Sequence, residues 1–272
     1  MIKFEKQMRD TSLRPQVSRA GGFGGRALVG RAIAGLALLA GLSACGPGHG
    51  GDCLKSTGPI ITERRAVEAG LVTVTAYDNV DLRLVQDTQT YAEVRAGKNL
   101  IGDIEFTRKG NSLEIANTSR CNWARRYDSP RVVTLHLPSI TNVFLRGQGN
   151  GSTVGQFVQD TIFFHNIGSG DYDIDVKAKL LFLDQYELGD INVRGTAEEM
   201  NFTLGGIGRL FAQNLALRRC YFTMTRDSGG DAHVRASDAV AGTHAGTGTL
   251  YYGGNPAFTE IRITGKGSQK TE

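Results

Sequence analysis

The sequence is poor in several residues and patterns that identify common classes of protein. Its 272 residues include six prolines, one tryptophan and four cysteines, and no two cysteines have the C-x-x-C spacing. Without that spacing, neither a structural zinc site nor a thiol redox motif is expected. The five histidines form no H-E-x-x-H motif, and no G-x-S-x-G occurs after residue 44. The signatures of zinc peptidases and of serine hydrolases are therefore missing.

Neither sign of charge is in excess once the N-terminal segment is set aside. The whole chain carries 31 Lys and Arg against 27 Asp and Glu, a net charge of +4. Residues 1–44 hold seven basic and two acidic residues, so the remaining chain carries 24 basic and 25 acidic groups. Because this balance provides no basic surface for a phosphate backbone, we expect no nucleic-acid partner.

The N-terminal segment contains an apolar run, but the run is too short to span a bilayer. It extends from Ala32 to Ala44, 13 residues, whereas a transmembrane helix needs roughly 20. A basic stretch precedes it, and small residues lead to Cys45, as in the lipobox of bacterial lipoproteins. We therefore expect residues 1–44 to be a signal peptide, and Cys45 to be acylated with palmitate or a similar chain, anchoring the protein to a membrane.

Residues 45–58 are expected to form the lipidated cysteine and a flexible tether, since Gly-Pro-Gly-His-Gly-Gly follows Cys45 directly. Glycine rather than aspartate after the cysteine resembles the pattern sorted to the outer membrane of Gram-negative bacteria. The alternative is an ordinary secretory leader with a cysteine at its end. The long N-terminal region also leaves a start codon further downstream open.

Residues 59–272 alternate between apolar and polar side chains with period two, which is typical of β-strands. A helical period of 3.6 is nearly absent, and the one stretch worth considering as helix, Ala197–Met200, is too short. The fold class predicted is therefore all-β. The clearest strand-like segments of the first half are Val72–Ala76, Val80–Val85, Asp103–Thr107, Leu113–Ala116 and Val132–Leu137.

Glycine is abundant, with 36 residues, and it recurs regularly in the second half. The steps between successive marks are 21, 21, 19, 22, 18 and 19 residues, with two short alternating segments in each step. This period predicts a β-solenoid that turns at glycines tolerant of positive φ. If about 210 residues coiled in this way, ten or so rungs would give a rod of roughly 50 Å. A β-sandwich is the competing architecture. The marks are Gly147, Gly168, Gly189, Gly208, Gly230, Gly248 and Gly267.

Three cysteines remain after Cys45, and an exported domain meets an oxidising compartment in which a pair can close. Cys53 and Cys121 are the favoured disulfide pair, since each flanks a loop-like stretch. Cys220 lies in an apolar run and is expected to be a buried, inert thiol. Pairings of Cys220 with either of the other two stay open.

Several blocks of the sequence resemble the putative auto-transporter adhesin head (GIN domain) family of bacterial lipoproteins. The similarity extends from about residue 53 to the C-terminus. It implies a right-handed β-helix with G-x-G turns and a role in adhesion, and it brings no catalytic residues. The blocks are Asp52–Gly58, Ile61–Arg64, Tyr77–Val80, Ala96–Leu100, Cys121–Trp123 and the later Gly-Ser-Gly-Asp coils.

Aspartates follow glycine at recurring positions of the repeat: Asp171, Asp190 and Asp231. If the coils stack in register, these carboxylates could form a ladder that binds calcium. The more common role of such residues is to accept hydrogen bonds from backbone amides of turns. No organic cofactor is expected, and calcium is a secondary hypothesis.

The most distinctive local feature is an aromatic and basic segment. Interface hot spots are enriched in these residue types, and an aromatic ring beside arginine also suits a sugar. The competing interpretation is a loop packed over the solenoid and tied down by Cys121. The segment contains the candidate binding residues Trp123, Arg125, Arg126 and Tyr127.

The function predicted is that of an exported, lipid-anchored head for adhesion or for carbohydrate or protein binding, without catalysis. One alternative is a pectin-lyase-like enzyme acting on polysaccharide, for which the alternating face Asp171–Lys179 offers carboxylates and lysines. Another is a structural envelope protein that self-associates through exposed solenoid ends, forming a homo-oligomer.

Overall fold

The computed structural model describes residues 56–119 and 129–272. Its first nine strands are short and belong to the N-terminal half of the domain, where a single 3-10 turn lies at Ile101–Asp103. These strands are β1 (Ile60–Ala66), β2 (Thr73–Asp78), β3 (Asp81–Gln86), β4 (Tyr91–Gly97), β5 (Ile104–Lys109), β6 (Ser112–Asn117), β7 (Arg131–Leu137), β8 (Asn142–Gly147) and β9 (Gly151–Thr153).

The second half consists of longer strands that bend around the domain, followed by three short ones. All of their pairings with one another are parallel. They are β10 (Phe157–Asn166), β11 (Tyr172–Gln185), β12 (Ile191–Leu204), β13 (Leu210–Met224), β14 (Ala232–His244), β15 (Thr249–Gly253), β16 (Phe258–Ile263) and β17 (Ser268–Thr271).

The parallel register has the period predicted from the glycines. Tyr172 pairs with Ile191, Ile191 with Leu210, Leu210 with Ala232, and Ala232 with Leu250, in steps of 19, 19, 22 and 18 residues. The β-solenoid is therefore confirmed, with about six turns. Ala197–Met200 lies within β12 and is not helical.

The expectation of ten or so rungs is wrong because the N-terminal strands do not coil. Strand β4 lies antiparallel between β1 and β7, and β5 and β6 form a hairpin. The turn of that hairpin is Gly110-Asn111, and a two-residue connection joins only antiparallel strands. Strands β2 and β3 pair in parallel with β8 and β9, so they join this antiparallel region to the solenoid.

One continuous hydrophobic core fills the interior from the first strands to the last coil. Alternate residues of each long strand point inward, as Tyr172, Ile174 and Val176 do in β11. Two polar side chains in this interior bond to turns: Asn166 Nδ2 donates to Gly170 O at 2.8 Å, and His244 Nε2 lies 2.8 Å from Gly248 O. Asn166 thereby satisfies a turn carbonyl, and His244 adds to the hydrogen bond that Gly248 O accepts from the amide of Ser268 in β17 at 3.2 Å.

The glycines of the repeat stack on one another, but the reason is not the one predicted. Of the seven marks only Gly147 has a positive φ. At Gly168, a β-carbon would overlap the carbonyl oxygen of Gly147 in the preceding coil, and at Gly230 it would overlap that of Gly208. Close approach between successive turns, rather than backbone conformation, therefore requires glycine at these positions.

The 17 strands form one continuous sheet, and the long strands contribute to two parts of it, called here the first and the opposite sheet. One consists of β8, the C-terminal halves of β10–β14, and β16; the other contains β9, the N-terminal halves of β11–β14, β15 and β17. The outward surface of the first sheet is called here the aromatic face. Across residues 56–119 and 129–272, no helix has the length and apolar character needed to cross a bilayer.

Candidate functional site

The residues selected from the sequence as modification or binding sites lie outside the described residues. They therefore stay predictions. Cys220, in contrast, is described: it is a free thiol, fully buried in β13, and burial raises its pKa. The selected residues that the structure does not describe are Cys45, Cys53, Cys121, Trp123, Arg125, Arg126 and Tyr127.

The aspartates of the repeat form a column in which each carboxylate bonds to the next coil. Asp171 Oδ1 accepts a hydrogen bond from the amide of Asp190, and Asp190 Oδ1 accepts one from the amide of Arg209, both at 2.8 Å. Asn150 has the same role in the preceding coil, where its side-chain oxygen accepts from the amide of Asp171 at 2.9 Å. The column therefore connects coils, rather than binding the turn to which each residue belongs.

Arg209 occupies one position of this column in place of an aspartate, and its guanidinium contacts the carboxylate of Asp190 in the preceding coil. Its Nη2 donates to Asp190 Oδ2 at 2.7 Å, and this hydrogen bond raises the pKa of the guanidinium. Among the described residues, no three His, Cys, Asp or Glu side chains form a group suited to a metal ion. The oxygens that the calcium hypothesis assigned to an ion accept hydrogen bonds from amides.

The face from Asp171 to Lys179 points outward as predicted, but its residues Asp173, Asp175 and Lys179 form ion pairs. Arg194 lies between Asp173 and Asp175, at 2.5 Å and 3.4 Å from their carboxylates. Lys179 Nζ donates to Asp160 at 2.9 Å. A general base needs a carboxylate within reach of the substrate proton, and the carboxylates of Asp173 and Asp175 are both engaged by Arg194.

The aromatic face carries rings stacked along the solenoid axis. Phe144 and His165 are stacked with centroids 4.1 Å apart, and Phe163 and Phe182 with centroids 4.2 Å apart. The register produces these stacks, since it pairs His165 with Phe144, and Phe182 with Phe163, on adjacent parallel strands. The four rings are half-buried, so one surface of the group remains accessible.

A histidine and a carboxylate are coupled at the edge of this group. His165 Nδ1 lies 2.8 Å from Asp184 Oδ2 on the next coil. The Asp184 carboxylate can only accept a hydrogen bond, so the neutral imidazole carries its proton on Nδ1. Nε2 is then left as a hydrogen-bond acceptor. The pair thus orients the imidazole over Phe144 and presents a fixed polar edge next to the rings.

A shallow groove of about 530 Å³ continues from Phe182 toward the last coil. Phe182, Asn201 and Tyr221 occupy one column of the register, so that two rings flank an amide. Two coils separate the rings, about 9.6 Å at the usual strand spacing. A parallel column supplies hydroxyls that have no hydrogen-bond partner within the described chain: Thr203, Thr223 and Thr243.

The opposite sheet has a second groove of similar volume but different chemistry. Phe211, His233 and Tyr251 stack there with centroids 5.4 Å and 4.4 Å apart. The groove itself is lined by Asp173 and Arg194, which form the ion pair described above. Its centre therefore carries an ion pair, whereas the rings of the aromatic-face groove lie beside threonine hydroxyls, and the charged side chains that line that groove are Asp184, Glu260 and Arg262.

The aromatic face was missed in the sequence, although a signal for it exists. Phe163, Phe182 and Asn201 follow one another at 19 residues, and Tyr221 comes 20 residues later, close to the glycine period. The same step links His165 to Asp184. Applying the period to outward aromatic residues, and not to glycines alone, would have found the face.

Comparison with known proteins gives a family and a fold. A family model described as "Putative auto-transporter adhesin, head GIN domain" matches residues 71–256. No curated protein matches the chain. The match thus includes most of the described domain and all of the aromatic face between β8 and β14.

Solved structures of bacterial proteins share the architecture. A putative adhesin of Bacteroides fragilis superposes with a TM-score of 0.72 at 20% identity, covering 79% of this chain and 97% of that one. A putative adhesin of Parabacteroides distasonis gives 0.62 at 19% identity, with 79% and 98% covered. A protein from the same species described as a putative lipid binding protein gives 0.57 at 17% identity, with the same coverage. At sequence identities this low, the superpositions establish similarity of fold alone.

Proposed function

Since the chain belongs to the putative auto-transporter adhesin, head GIN domain family, we propose that it is the non-catalytic head of an adhesin that binds polysaccharide along the aromatic face. The head is held at the outer membrane of a Gram-negative bacterium by lipid on Cys45. Family membership supports an envelope or cell-surface role. Polysaccharide binding is proposed from the residues of the aromatic face, and the lipid anchor and the outer-membrane location are proposed from the sequence around Cys45.

The observation that carries the binding proposal is the pair of rings, Phe182 and Tyr221, on either side of Asn201. Pyranose rings have apolar faces that pack on aromatic side chains and hydroxyls that need hydrogen-bond partners. The groove supplies both, because threonine hydroxyls without a partner in the described chain lie beside the rings. It is open along the solenoid axis, and this shape suits a polymer better than a small ligand, for which enclosed pockets are usual.

Absence of catalysis is proposed from the state of the carboxylates. The acidic residues that an enzyme on this scaffold would use, Asp173 and Asp175, both contact Arg194. On the aromatic face, Asp184 contacts His165, and Glu260 is the other carboxylate that lines the groove. Polysaccharide cleavage by general acid and base would need two carboxyl groups free to exchange protons across the substrate.

The anchor is tested separately from binding. Cys45→Ala in the full chain should move the protein from the membrane fraction to the soluble fraction, because the acylated residue is lost. Cys53→Ser serves as the matched control and should leave the protein with the membranes. Retention of Cys45→Ala in the membrane fraction would refute the lipid anchor and leave the binding proposal untouched.

The binding proposal is tested with the detergent-solubilised full chain and a panel of envelope and host polysaccharides. Retained protein and released fragments are recorded together. Retention without fragments is expected. Fragments would refute the absence of catalysis and direct attention to Asp173 and Asp175. If the protein is not retained and no fragments are released, polysaccharide binding is refuted.

The segment with the candidate binding residues lies outside the described part of the chain, and we include it in this proposal as a second contact. Trp123, with Arg125, Arg126 and Tyr127 nearby, has the aromatic and cationic character that a sugar or protein ligand would engage. Trp123→Ala should weaken retention of a bound polysaccharide without changing the melting temperature. An unchanged retention would remove Trp123 from the proposed binding surface.

A further inference from the structure

In the last coil that the structure describes, the outer strand edges pair with no other described strand. Strand β16 pairs only with β14, and β17 only with β15, within the residues that the structure describes. A row of unpaired amides and carbonyls is a template for pairing with another strand. The inward side chains of β16 are also less covered than those of earlier coils, since Ile263 is 39% exposed whereas Met224 is buried.

We propose that β16 pairs antiparallel with β16 of a second copy of this chain, centred on Ile261, and so forms a two-fold dimer at the C-terminal end of the solenoid. The pairing would extend the first sheet across the two-fold axis. The pairing does not rest on the proposed function, although Glu260 and Arg262 also line the end of the aromatic-face groove.

The direction of the backbone groups limits the registers available. The amide of Thr264 donates to His244 O at 2.8 Å, so position 264 faces β14. Because successive residues of a strand point their backbone groups to opposite sides, Glu260 and Arg262 also face β14, and Thr259, Ile261 and Ile263 face the open edge. Hydrogen bonding to a second copy thus requires open-edge residues to oppose one another.

Three two-fold registers near the middle of the strand satisfy that requirement, and charge distinguishes them. Centring on position 260 places Glu260 opposite its own copy, and centring on position 262 does the same for Arg262. Centring on Ile261 places Glu260 opposite the second copy's Arg262, twice in the dimer. These are non-hydrogen-bonded positions, where side chains are closest, so opposite charges stabilise this register and like charges disfavour the other two.

The same register joins the apolar interiors. Ile261 packs against the hydrophobic core, and its copy would lie directly opposite on the same side of the sheet. Ile263 would lie opposite Thr259, so the exposed end of the core would be covered from both chains. The self-complementary order Glu-Ile-Arg is what favours a second copy over an unrelated strand, since a two-fold interface requires one surface to match itself.

The test is the oligomeric state of charge-reversed variants, measured by sedimentation velocity of the full chain in detergent. The wild type should be a dimer. Glu260→Arg and Arg262→Glu should each raise the dimer dissociation constant about tenfold or more, because like charges then meet. The double variant should be a dimer again. An equimolar mixture of the two single variants should also form dimers, since every pair across the axis is then opposite in charge.

Lys266→Glu, an exposed substitution outside β16, is the matched control and should remain dimeric. Circular dichroism and melting temperature check that each variant is folded. A monomeric wild type would overturn the proposal. Single variants that dimerise like the wild type, or a mixture that does not recover the dimer, would also overturn it, because charge pairing across β16 would then not determine assembly.

Discussion

The carbonyl oxygen of Gly147 occupies the space that a β-carbon at position 168 would need. Two residues 21 positions apart in the sequence thus stand in contact, one coil above the other. The same relationship repeats along the column, between Gly189 and Gly208 and between Gly230 and Gly248. The turn side of the solenoid is therefore packed backbone against backbone.

Gly168→Ala should lower the free energy of unfolding by about 1–3 kcal/mol, because the added methyl group forces two coils apart. Gly102→Ala is the matched control: nothing lies near its β-carbon, and its φ is not positive. It should change stability by less than about 0.5 kcal/mol. Urea denaturation of both variants gives the comparison. Equal effects would mean that close stacking of the glycines does not contribute to stability.

Asp190 should tolerate asparagine better than alanine. Asparagine keeps an oxygen for the amide of Arg209, as Asn150 does for the amide of Asp171, and loses only the exposed ion pair. Alanine loses the hydrogen bond between coils, worth about 1 kcal/mol. The order of melting temperatures should be wild type, Asp190→Asn, Asp190→Ala. A chelator or added calcium should leave all three unchanged, and a calcium-dependent rise would restore the ion hypothesis for this column.

The number of reactive thiols tests the predicted disulfide. If Cys45 is acylated and Cys53 is joined to Cys121, as the sequence predicts, then Cys220 is the free thiol of the mature chain. Burial raises its pKa, and a thiol that is both buried and protonated reacts slowly. Ellman's reagent should detect no reactive thiol in the native protein, and one reactive thiol after denaturation in guanidinium without reductant. Two or three after denaturation alone would refute the pairing of Cys53 with Cys121.

Stability should fall on the acid side. The amide of Gln89, with His136 as a further donor, holds the pKa of Asp87 below its ordinary value, and Ser237 and Arg218 do the same for Asp238. A lowered carboxyl pKa stabilises the fold above the pKa of the unfolded chain and is lost as pH falls through the folded value. The melting temperature should therefore decrease when the pH falls below about 4. Asp87→Asn combined with Asp238→Asn should reduce that drop, whereas Asp227→Asn on an exposed turn should not.

The solenoid could be predicted from the sequence because one spacing recurs in both glycines and strands. The predicted strands Leu113–Ala116 and Val132–Leu137 agree with β6 and β7 to within one or two residues. Their pairing could not be predicted, since alternation of period two is the same in a parallel coil and in an antiparallel strand. Only the short Gly110-Asn111 turn distinguishes the hairpin of the N-terminal half from the coils that follow.

The candidate site was less accessible to sequence reasoning. Contacts such as His165 with Asp184 join residues on adjacent coils, so they have no local motif. The reason for the glycines was also hidden, because whether Gly168 is needed for its φ or for close approach depends on a residue in another coil. Local patterns describe the turn, but the neighbouring coil determines what each outward or turn residue contacts.

Retention of polysaccharide by matched ring variants tests the central claim most directly. The polymer retained by the wild type is offered to the double variant Phe182→Ala, Tyr221→Ala and to Phe211→Ala, which removes a stacked ring of the same kind from the opposite sheet. The account predicts that the double variant loses at least about tenfold in affinity, the equivalent of about 1.4 kcal/mol, while Phe211→Ala binds like the wild type. Loss on Phe211→Ala with full binding by the double variant would contradict it and assign the polymer to the other groove.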